Sequence, residues 1–402
     1  MKFFKPALAI SALALTSLGG VAMAESDVSH NWSAENEVEA MAIFRDKYVE
    51  LGGEWKETAF PDTEASISSV KTRFIGGKPP MALQSALGGT LLEFAGAGLL
   101  QDMSELANSE GWASRLSAGM DEIGQFDGAW VAAPVFVDVI NWMYTNNDVL
   151  AANGIEPPTT WDEFTGSLAT LQDAGIIPIA IGGDSWQEAI LFDHVLLAVG
   201  GAALYNAVMA HDADAISGDD MTKVLEEFVA LGQYTDEGRS GRSWNDTNTL
   251  VLSDKAAYFF MGPWASGGYG DMGDEGGRWS CNLTPWSDAL TIVADGFQFI
   301  KVEDEADMAA QNLFAQAVMD PYTQFAAAIA KGTLPAAVGA DPSTFGACPS
   351  KAVAAMENGT VVTHWNGHAA DTATAIKDTV SALWNGTTDV AGAQAMLAEK
   401  MN

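Results

Sequence analysis

The stretch TWDEFTGSLATLQDAGIIPIAIGGDSWQEAILFDHVLLAV, residues 160–199, contains the pattern that decides the fold. Thr160 and Glu163 form a capping box, in which side chains and backbone satisfy each other's hydrogen bonds, so a helix is predicted to begin here. Ile176–Ile181 is typical of a buried strand, and Ala189–Val199 is almost entirely apolar, as a buried helix is. This alternation predicts an α/β protein with parallel sheets.

Other segments continue the alternation. Glu37–Leu51 has an apolar stripe at helical spacing, and Leu313–Val318 and Phe325–Ala330 predict two further helices. Val131–Val139 is apolar but contains Pro134, which cannot donate a ladder hydrogen bond. We therefore interpret it as an extended segment that passes between two units rather than as a central strand.

The length of 402 residues exceeds what one hydrophobic core usually supports, so two domains are expected. The sequence contains no internal repeat and no low-complexity linker. Two domains without a linker are expected to share several chain crossings.

The N-terminus has the order of a secretory signal peptide. Lys2 and Lys5 precede an apolar run, and Ala22-Met23-Ala24 is a small-residue cleavage site. The apolar run is too short for a membrane span. We expect residues 1–24 to be removed near Ala24 and the mature chain to be exported to the periplasm.

The formal net charge of −34 excludes several kinds of partner. Nucleic acids and anionic membrane surfaces are bound through Lys and Arg, which are scarce here. We interpret the acidity as a solvated coat suited to a saline environment, with a cation-binding protein as the alternative, because net charge concerns solubility more than fold.

The two cysteines, Cys281 and Cys348, both lie in the exported part. In an oxidising compartment the default is one disulfide between them. The alternative, a metal site or catalytic thiol, lacks the close Cys spacing that such sites use.

The thirteen tryptophans are the main functional signal. Several lie in polar, Gly-rich contexts, where an indole can stack on a ligand while its neighbours hydrogen-bond the ligand's edges. These contexts are Gly182–Glu188, Arg242–Asp246, Met261–Trp264 and His364–His368. This combination suits a sugar, which has both apolar C–H faces and hydroxyl groups.

Motifs for catalysis are largely missing. The sequence contains no G-x-S-x-G elbow, no H-E-x-x-H and no P-loop, and it predicts no cofactor. Paired carboxylates of a glycoside hydrolase stay open in a chain with 53 acidic residues. His364 and His368 have a spacing that chelates metal on a helix, but a structural zinc needs about four ligands, so we expect no metal site.

Taken together, these segments make the chain similar to the family 1 extracellular solute-binding proteins of ABC sugar importers, and most similar to the bacterial glucose-binding proteins. The similarity extends over nearly the whole mature chain. Its strongest segments are His30–Ser33, Phe126–Pro134, GIEPPTTWDE at 154–163, GGDSWQE at 182–188, Trp244–Asp246 and Lys331–Pro335.

The resemblance implies two α/β lobes around a cleft that closes by a hinge. The N-terminal lobe would comprise residues 25–136 plus 296–345, and the C-terminal lobe 140–293 plus 349–402. Crossings would fall near Val135–Asn141, Asp295–Phe299 and Ser343–Pro349. It also implies a sugar ligand, membrane permease subunits as partners, a monomer, and no enzymatic activity.

The family's recognition positions carry over where local motifs match. They give Trp32, Glu37, Gln84, Trp186, Trp244, Trp264, Asp295, Lys331, His364 and, as second choice to His364, His368. Indoles would stack on the pyranose, carboxylates would accept hydrogen bonds from hydroxyls, and Lys and His would donate them. Trp365 is a reserve candidate, and the other tryptophans are expected to be structural.

Two departures from the family pattern affect the identity of the sugar. Relatives often have two tryptophans in succession where this chain has Asn31-Trp32. Close relatives also have a Gln or His ahead of a Gly-Gly or Gly-Pro turn, whereas this chain reads Leu83-Gln84-Ser85-Ala86-Leu87-Gly88-Gly89. Glucose or a related monosaccharide is the expectation, with a disaccharide or a glycosylated osmolyte open. The alternatives in other classes are a secreted carbohydrate-active enzyme and a zinc-binding receptor.

Overall fold

Two β-sheets form the framework of the protein. A computed structural model describes residues 25–269, 277–284, 286–287 and 289–401, so the predicted signal peptide lies outside the described residues. The strands, in chain order, are β1 (Val28–His30), β2 (Glu57–Ala59), β3 (Ala82–Ala86), β4 (Gln125–Phe126), β5 (Ala129–Trp130), β6 (Ala132–Val139), β7 (Trp142–Asn146), β8 (Ile177–Ala180), β9 (Ala256–Met261), β10 (Trp279–Leu283), β11 (Ala289–Phe299), β12 (Leu334–Pro335) and β13 (Thr360–Thr363). β4 and β5 form a small separate hairpin.

The larger sheet has the order β12-β6-β11-β3-β1-β2, and β13 also pairs with β11. β1 is parallel to β2 and β3, whereas β11 is antiparallel to both β3 and β6. The smaller sheet, β10-β7-β9-β8, has one parallel pair, β8 with β9. The expectation of purely parallel sheets is therefore wrong, because long strands that return through the molecule pair in the antiparallel sense.

The prediction that Val131–Val139 is not a central strand is also wrong. Ala132–Val139 is strand β6, fully buried and paired with β11 along most of its length. The register shifts between Asp295 and Gly296, where Gly296 lies opposite Pro134. Such a bulge lets a strand accommodate a proline that has no N–H to donate.

Helices cover both sheets. They are α1 (Glu35–Glu50), α2 (Thr63–Ile75), α3 (Gly89–Gly96), α4 (Ser104–Glu110), α5 (Met120–Ile123), α6 (Asn147–Ala152), α7 (Trp161–Asp173), α8 (Ser185–Val195), α9 (Gly201–Met209), α10 (Ala213–Ser217), α11 (Asp219–Ala230), α12 (Trp244–Leu252), α13 (Glu305–Val318), α14 (Pro321–Lys331), α15 (Ala347–Asn358), α16 (Ala370–Trp384) and α17 (Val390–Lys400). All six helices and strands predicted around residues 37–51, 160–199 and 313–330 are confirmed, with ends that differ by up to eight residues.

The capping box that opens α7 is present as predicted. The Glu163 amide donates to Thr160 Oγ1 at 3.2 Å, and Glu163 Oε2 accepts from the Thr160 amide at 3.2 Å. Such a cap is worth about 1 kcal/mol of helix stability. It fixes where α7 begins and thus where β8 follows.

The apolar helix after β8 is longer than predicted. α8 continues through a turn of π-helix, Leu196–Gly200, into α9. The whole segment, Ser185–Met209, is long and apolar enough to cross a membrane, but most of it is buried inside the protein. Its apolar residues belong to the core beside the smaller sheet.

A disulfide joins Cys281 in β10 to Cys348 in α15, which confirms the predicted pairing. The ammonium of Lys351, also in α15, donates to the Cys281 carbonyl oxygen at 3.0 Å. Together these contacts attach α15 to the edge of the smaller sheet.

Candidate functional site

A cavity of about 540 Å³ is lined by strands of the larger sheet and by helices and loops that flank the two sheets. It is formed where strands β1, β3 and β13 end and where helices α1, α2, α8 and α12 begin, with β6 and β11 crossing its floor. Helix N-termini present unpaired N–H groups, so this arrangement favours oxygen-rich or negatively charged groups nearby. A second, more open hollow of about 430 Å³ beside α7 is lined by residues 155–170 and contains none of the predicted site residues.

Nine of the ten predicted ligand-binding residues line the larger cavity. They are Trp32, Glu37, Gln84, Trp186, Trp244, Trp264, Asp295, Lys331 and His364. The tenth, His368, is not among the lining residues, and its Nε2 lies 3.3 Å from the Thr363 carbonyl oxygen. The sequence prediction therefore grouped residues that are far apart in the chain and adjacent in space, although their role in binding stays a prediction.

The tryptophans of the cavity differ in how much surface they leave free. Trp186, Trp244 and Trp264 are half-buried, and the rings of Trp186 and Trp264 lie 6.2 Å apart at 57°. Trp32 is only 3% exposed and packs against Phe136 and Phe297. The first three therefore have the larger free faces for stacking on a ligand.

The reserve candidate Trp365 also lines the cavity but is only 2% exposed, with its ring 4.6 Å from that of His364. Trp161, expected to be structural, packs against Phe164 and Trp286 at the start of α7. The structural interpretation of Trp161 is confirmed.

An ion cluster lies at the floor of the cavity. The Lys331 ammonium is 2.9 Å from Asp295 Oδ2 and 3.4 Å from Asp138 Oδ2, and all three side chains are at least 90% buried. The same ammonium lies 4.9 Å from the centre of the Trp32 ring and 4.6 Å from that of Phe136. Aromatic faces attract a desolvated cation, so rings and carboxylates together hold the charge in place.

Burial and charge shift the pKa values of this cluster in opposite directions. Burial alone would lower the pKa of Lys331, but Asp138 and Asp295 more than offset it and raise that pKa above its usual value. Burial raises the pKa of the Asp138 carboxyl, and the Lys331 charge offsets part of this rise. The lysine is therefore a fixed positive charge in the wall.

Asp138 is absent from the predicted site although it is central to the cluster. Thr333 Oγ1 donates a short hydrogen bond to Asp138 Oδ1. The signal available in the sequence was a single carboxylate inside the apolar run Val131–Val139, since a charge in a buried strand requires a partner.

Glu37 lies at the start of α1 and faces the cavity. Its Oε2 accepts from the amides of Ser33 and Ala34, both at 3.1 Å. The side chain is 6% exposed, and Oε1 accepts no hydrogen bond from the described residues. Burial raises the pKa of this carboxyl, partly offset by the charge of Lys331.

Gln84 connects β3 to the ion cluster. Its Nε2 donates to Asp295 Oδ1 at 2.8 Å, so Gln84 orients Asp295 as well as lining the cavity. Asp295 thus contacts Gln84 through one oxygen and Lys331 through the other.

His364 lines the cavity, but both of its ring nitrogens face the protein. Nδ1 accepts from the Asn366 amide at 3.3 Å, and Nε2 lies 3.1 Å from Asp193 Oδ2. Asp193 is buried in α8, and the Tyr205 hydroxyl from α9 donates to the same oxygen at 3.4 Å. The geometry supports a positioned wall residue better than the predicted hydrogen bond from His364 to a ligand.

Asp193 was also absent from the predicted site. Burial raises the pKa of its carboxyl, with His364 offsetting part of the rise. Next to it, burial lowers the pKa of His194 to about 3. The pair Asp193-His194 in an otherwise apolar helix is the sequence signal for this buried polar group.

The described residues contain no group of three or more His, Cys, Asp or Glu arranged to hold a metal ion. His364 and His368 each have protein partners as described above. The zinc alternative therefore receives no support from the arrangement of these two residues.

Contacts cross the cavity at its rim and beside it. The Lys377 ammonium from α16 lies 2.6 Å from Glu64 Oε1 in α2. Asn36 Nδ2 donates to the carbonyl oxygens of Trp264 and Lys331, at 3.0 and 2.8 Å. The two sides of the cavity are therefore in contact in this structure.

Glycines lie at a close backbone contact between the two sides. A Cβ placed on Gly88 would lie 2.1 Å from the Asn366 carbonyl oxygen, and one on Gly89 would lie 2.8 Å from the Ala370 Cα. Gly89 also forms an isolated parallel bridge with Ala369. Only residues without a side chain fit this junction.

Comparisons with known proteins agree with this architecture. Residues 52–279 match the model of the family described as bacterial extracellular solute-binding protein. A protein of Rhizobium meliloti named "Probable sugar-binding periplasmic protein" is 32% identical over 398 residues, covering 96% of this chain and 95% of that protein.

Solved structures of binding proteins share the fold. A "Chitin oligosaccharide binding protein" superposes with a TM-score of 0.80 at 18% identity, covering 94% of this chain and 99% of the other. Maltose-bound MalE3 of T. maritima superposes with a TM-score of 0.76 at 20% identity and covers 94% and 99%.

The fold is that of a two-lobe periplasmic binding protein. By sequence, the chain belongs to the family of bacterial extracellular solute-binding proteins. This confirms the family resemblance and the predicted two-lobe α/β architecture.

Proposed function

We propose that this protein is the periplasmic receptor that captures a sugar and delivers it to the permease subunits of an ABC importer. The observation that carries the proposal is the cavity, which combines half-buried Trp186, Trp244 and Trp264 with carboxylate and amide side chains. Apolar ring faces are complementary to pyranose C–H faces, and the polar groups to hydroxyls. The name of the Rhizobium meliloti relative supports a sugar as the ligand.

The finer features of the proposal come from the sequence. Cleavage near Ala24 would release a soluble, monomeric receptor, and glucose or a related monosaccharide is the first ligand to test. The lobes would be residues 25–136 plus 296–345 and 140–293 plus 349–402. The strands of the smaller sheet all fall in the second range, and β11 runs from one range into the other.

The proposal excludes turnover. Asp138 and Asp295 are close carboxylates beside tryptophans, as a glycoside hydrolase would need. However, both are held by Lys331, with Thr333 and Gln84 on their other oxygens. A general acid must release its proton to the glycosidic oxygen, whereas these groups are held as an ion cluster.

A calorimetric titration of mature protein with monosaccharides, disaccharides and zinc tests the function. We expect micromolar or tighter binding of at least one sugar, and no new reducing ends or other products after prolonged incubation. Binding of zinc without binding of any sugar would refute the proposal, and product formation would support the enzyme alternative.

Trp264→Ala tests the site itself. Loss of a packed aromatic contact should weaken sugar binding by about 2 kcal/mol, measured by the same titration. Trp55→Ala is the matched control, because Trp55 is half-buried but packs against Tyr48 and Phe314 away from the cavity. Unchanged affinity in Trp264→Ala, with a folded protein, would remove Trp264 from the site.

A further inference from the structure

The cavity wall carries far more negative than positive charge. Among its lining residues are six carboxylates, of Glu37, Asp62, Glu64, Asp138, Asp184 and Asp295, and two ammonium groups, of Lys331 and Lys377. This excess of negative charge is distinct from the acidic outer surface of the protein, because three of the six side chains are at least 90% buried.

Both ammonium groups are already occupied by carboxylates. Lys331 contacts Asp295 and Asp138, at 2.9 and 3.4 Å. Lys377 contacts Glu64 at 2.6 Å near the rim. Within the described residues, Glu37, Asp62 and Asp184 have no ion pair with a lysine or arginine.

The three carboxylates without a cation lie at helix N-termini. Asp62 caps α2 and accepts from the Ala65 amide at 2.7 Å, Asp184 precedes α8, and Glu37 lies in the first turn of α1. Helix dipoles stabilise such charges only in part, since each terminus carries about half a unit charge. A net negative potential therefore remains in the cavity.

Glu37 is the group most exposed to this imbalance. Its side chain lines the cavity and is more than 90% buried, yet Oε1 accepts no hydrogen bond from the described residues. The raised pKa of this carboxyl agrees with a buried charge that lacks a full counter-charge. A cation that entered the cavity would supply the counter-charge that Glu37 lacks.

The aromatic walls would add to the same preference. The Lys331 ammonium already lies 5.9 Å from the Trp264 ring, and the half-buried faces of Trp186 and Trp244 have no cation over them among the described residues. A cation at an indole face is stabilised by the ring quadrupole. An anion would meet both the ring faces and the carboxylates unfavourably.

We propose that the cavity selects sugars that carry a protonated amine and rejects sugars that carry a carboxylate or phosphate. This inference rests on the proposed sugar-binding function and names the ligand class of the same site. The free oxygen of Glu37 is the group that would contact the ammonium. Asp62 and Asp184 would contribute longer-range attraction from the rim.

The test compares the neutral, amino and carboxylate forms of the same sugar ring, which differ in charge. Glucose, glucosamine and glucuronate, and the same three forms of galactose and mannose, are titrated into the mature protein at about pH 7 and low salt. We expect the amino form of the preferred ring to bind about tenfold more tightly than the neutral form, and the uronate not to bind. Added salt should reduce the ratio by screening.

Two variants locate the effect. Glu37→Gln keeps an acceptor for the Ser33 and Ala34 amides but removes the charge, so the ratio of amino to neutral affinity should fall toward one. Glu39→Gln removes a charge from the exposed face of the same helix and should leave the ratio unchanged. If Glu37→Gln does not fold, the salt dependence of the wild-type ratio gives the answer.

The outcomes separate the two proposals. Equal or weaker binding of the amino sugar by wild type overturns the charge selectivity. An unchanged ratio in Glu37→Gln overturns the assignment of that selectivity to Glu37. Either result leaves the sugar-binding function standing. Failure of every sugar in the wider panel of monosaccharides and disaccharides overturns the proposed function itself.

Discussion

At the scale of single residues, buried charged side chains are main determinants of the stability of the protein and of the electrostatic potential in its cavity. Lys331 illustrates the point, because its ammonium is shared by Asp138 and Asp295 while aromatic rings surround it. Removing one partner of a buried ion pair leaves the other charge without compensation, which costs more than the pair gains. Residues of this cluster therefore affect both stability and the electrostatics of the cavity.

Lys331→Met should lower the free energy of unfolding by about 3 kcal/mol, because two buried aspartates would lose their cation. Urea denaturation followed by tryptophan fluorescence measures the change. Lys301→Met is the control, since Lys301 is exposed and should change stability by less than about 0.5 kcal/mol. A loss in Lys331→Met no larger than in the control would show that the cluster is not a source of stability.

His194 predicts a dependence of stability on pH. Burial lowers its pKa from 6.5 to about 3, so the unfolded chain binds this proton more tightly than the folded protein. Stability that is fully present above about pH 6.5 is therefore lost as pH falls toward 3. By pH 4 the loss from this group amounts to about 3 kcal/mol.

The comparison of His194→Leu with wild type isolates that contribution, since other titrating groups cancel in the difference. We expect the variant to gain relative stability progressively between pH 7 and pH 4, measured by chemical denaturation at each pH. Far-UV circular dichroism at pH 7 checks that the fold is retained. A constant difference across this range would contradict the assigned pKa.

At the scale of elements, the sequence predicts local structure well where the pattern is local. The capping box of α7, the apolar β8 and the helix after Pro321 are each fixed by a few neighbouring residues, and each forms as expected. β6 differs because its place in the sheet depends on β11, which is remote in the chain. Proline inside the run argued against a central strand, and only the bulge in the register makes the pairing compatible with it.

The disulfide acts at this scale by tying one helix to one sheet edge. Replacement of both Cys281 and Cys348 by Ala should lower the free energy of unfolding by about 2–4 kcal/mol, because the bond closes a long loop in the unfolded chain. Wild type treated with reductant should lose a similar amount in the same denaturation experiment. A stable variant with no loss would mean that Lys351 and packing alone hold α15 on β10.

At the scale of the whole molecule, the residues that line the cavity could largely be predicted, but their contacts within its wall could not. Family motifs placed nine residues correctly in one cavity, since those motifs accompany the loops that form it. The local sequence marked Asp138 and Asp193 as polar groups within apolar segments, but it did not show which cavity residues they contact, because those contacts join different strands and helices. The same holds for the carboxylate that faces His364, because Asp193 is in α8, whereas the predicted role of His364 in binding stays a prediction.

The close contact of Gly88 and Gly89 with Asn366 and Ala370 allows a prediction about how the two sides of the cavity meet. In Gly89→Ala the new Cβ would collide with the Ala370 backbone, so the observed arrangement should become less favourable. Small-angle scattering should show a larger radius of gyration, and sugar affinity should fall by about tenfold. Gly96→Ala, on the same helix with open space around it, is the control.

The fold itself should survive Gly89→Ala, because the collision involves the contact between the two sides and not the interior of either. Equal scattering profiles and affinities for Gly89→Ala and Gly96→Ala would mean that the junction adapts without any effect on the spacing of the two sides.

The position of β11 has a consequence for when this protein can fold. Its neighbours in the larger sheet, β3 and β6, are made long before it during synthesis, and the sheet lacks its middle strand until residue 299 has been added. Pairings between such distant segments form slowly, because the chain loses the entropy of closing a long loop before the new contacts can stabilise it. Most of the chain has therefore been synthesised before the larger sheet can assemble. Under the proposed export to the periplasm, this order keeps the larger sheet unformed while the chain passes through a translocation channel, because β11 and the later strands β12 and β13 are synthesised last.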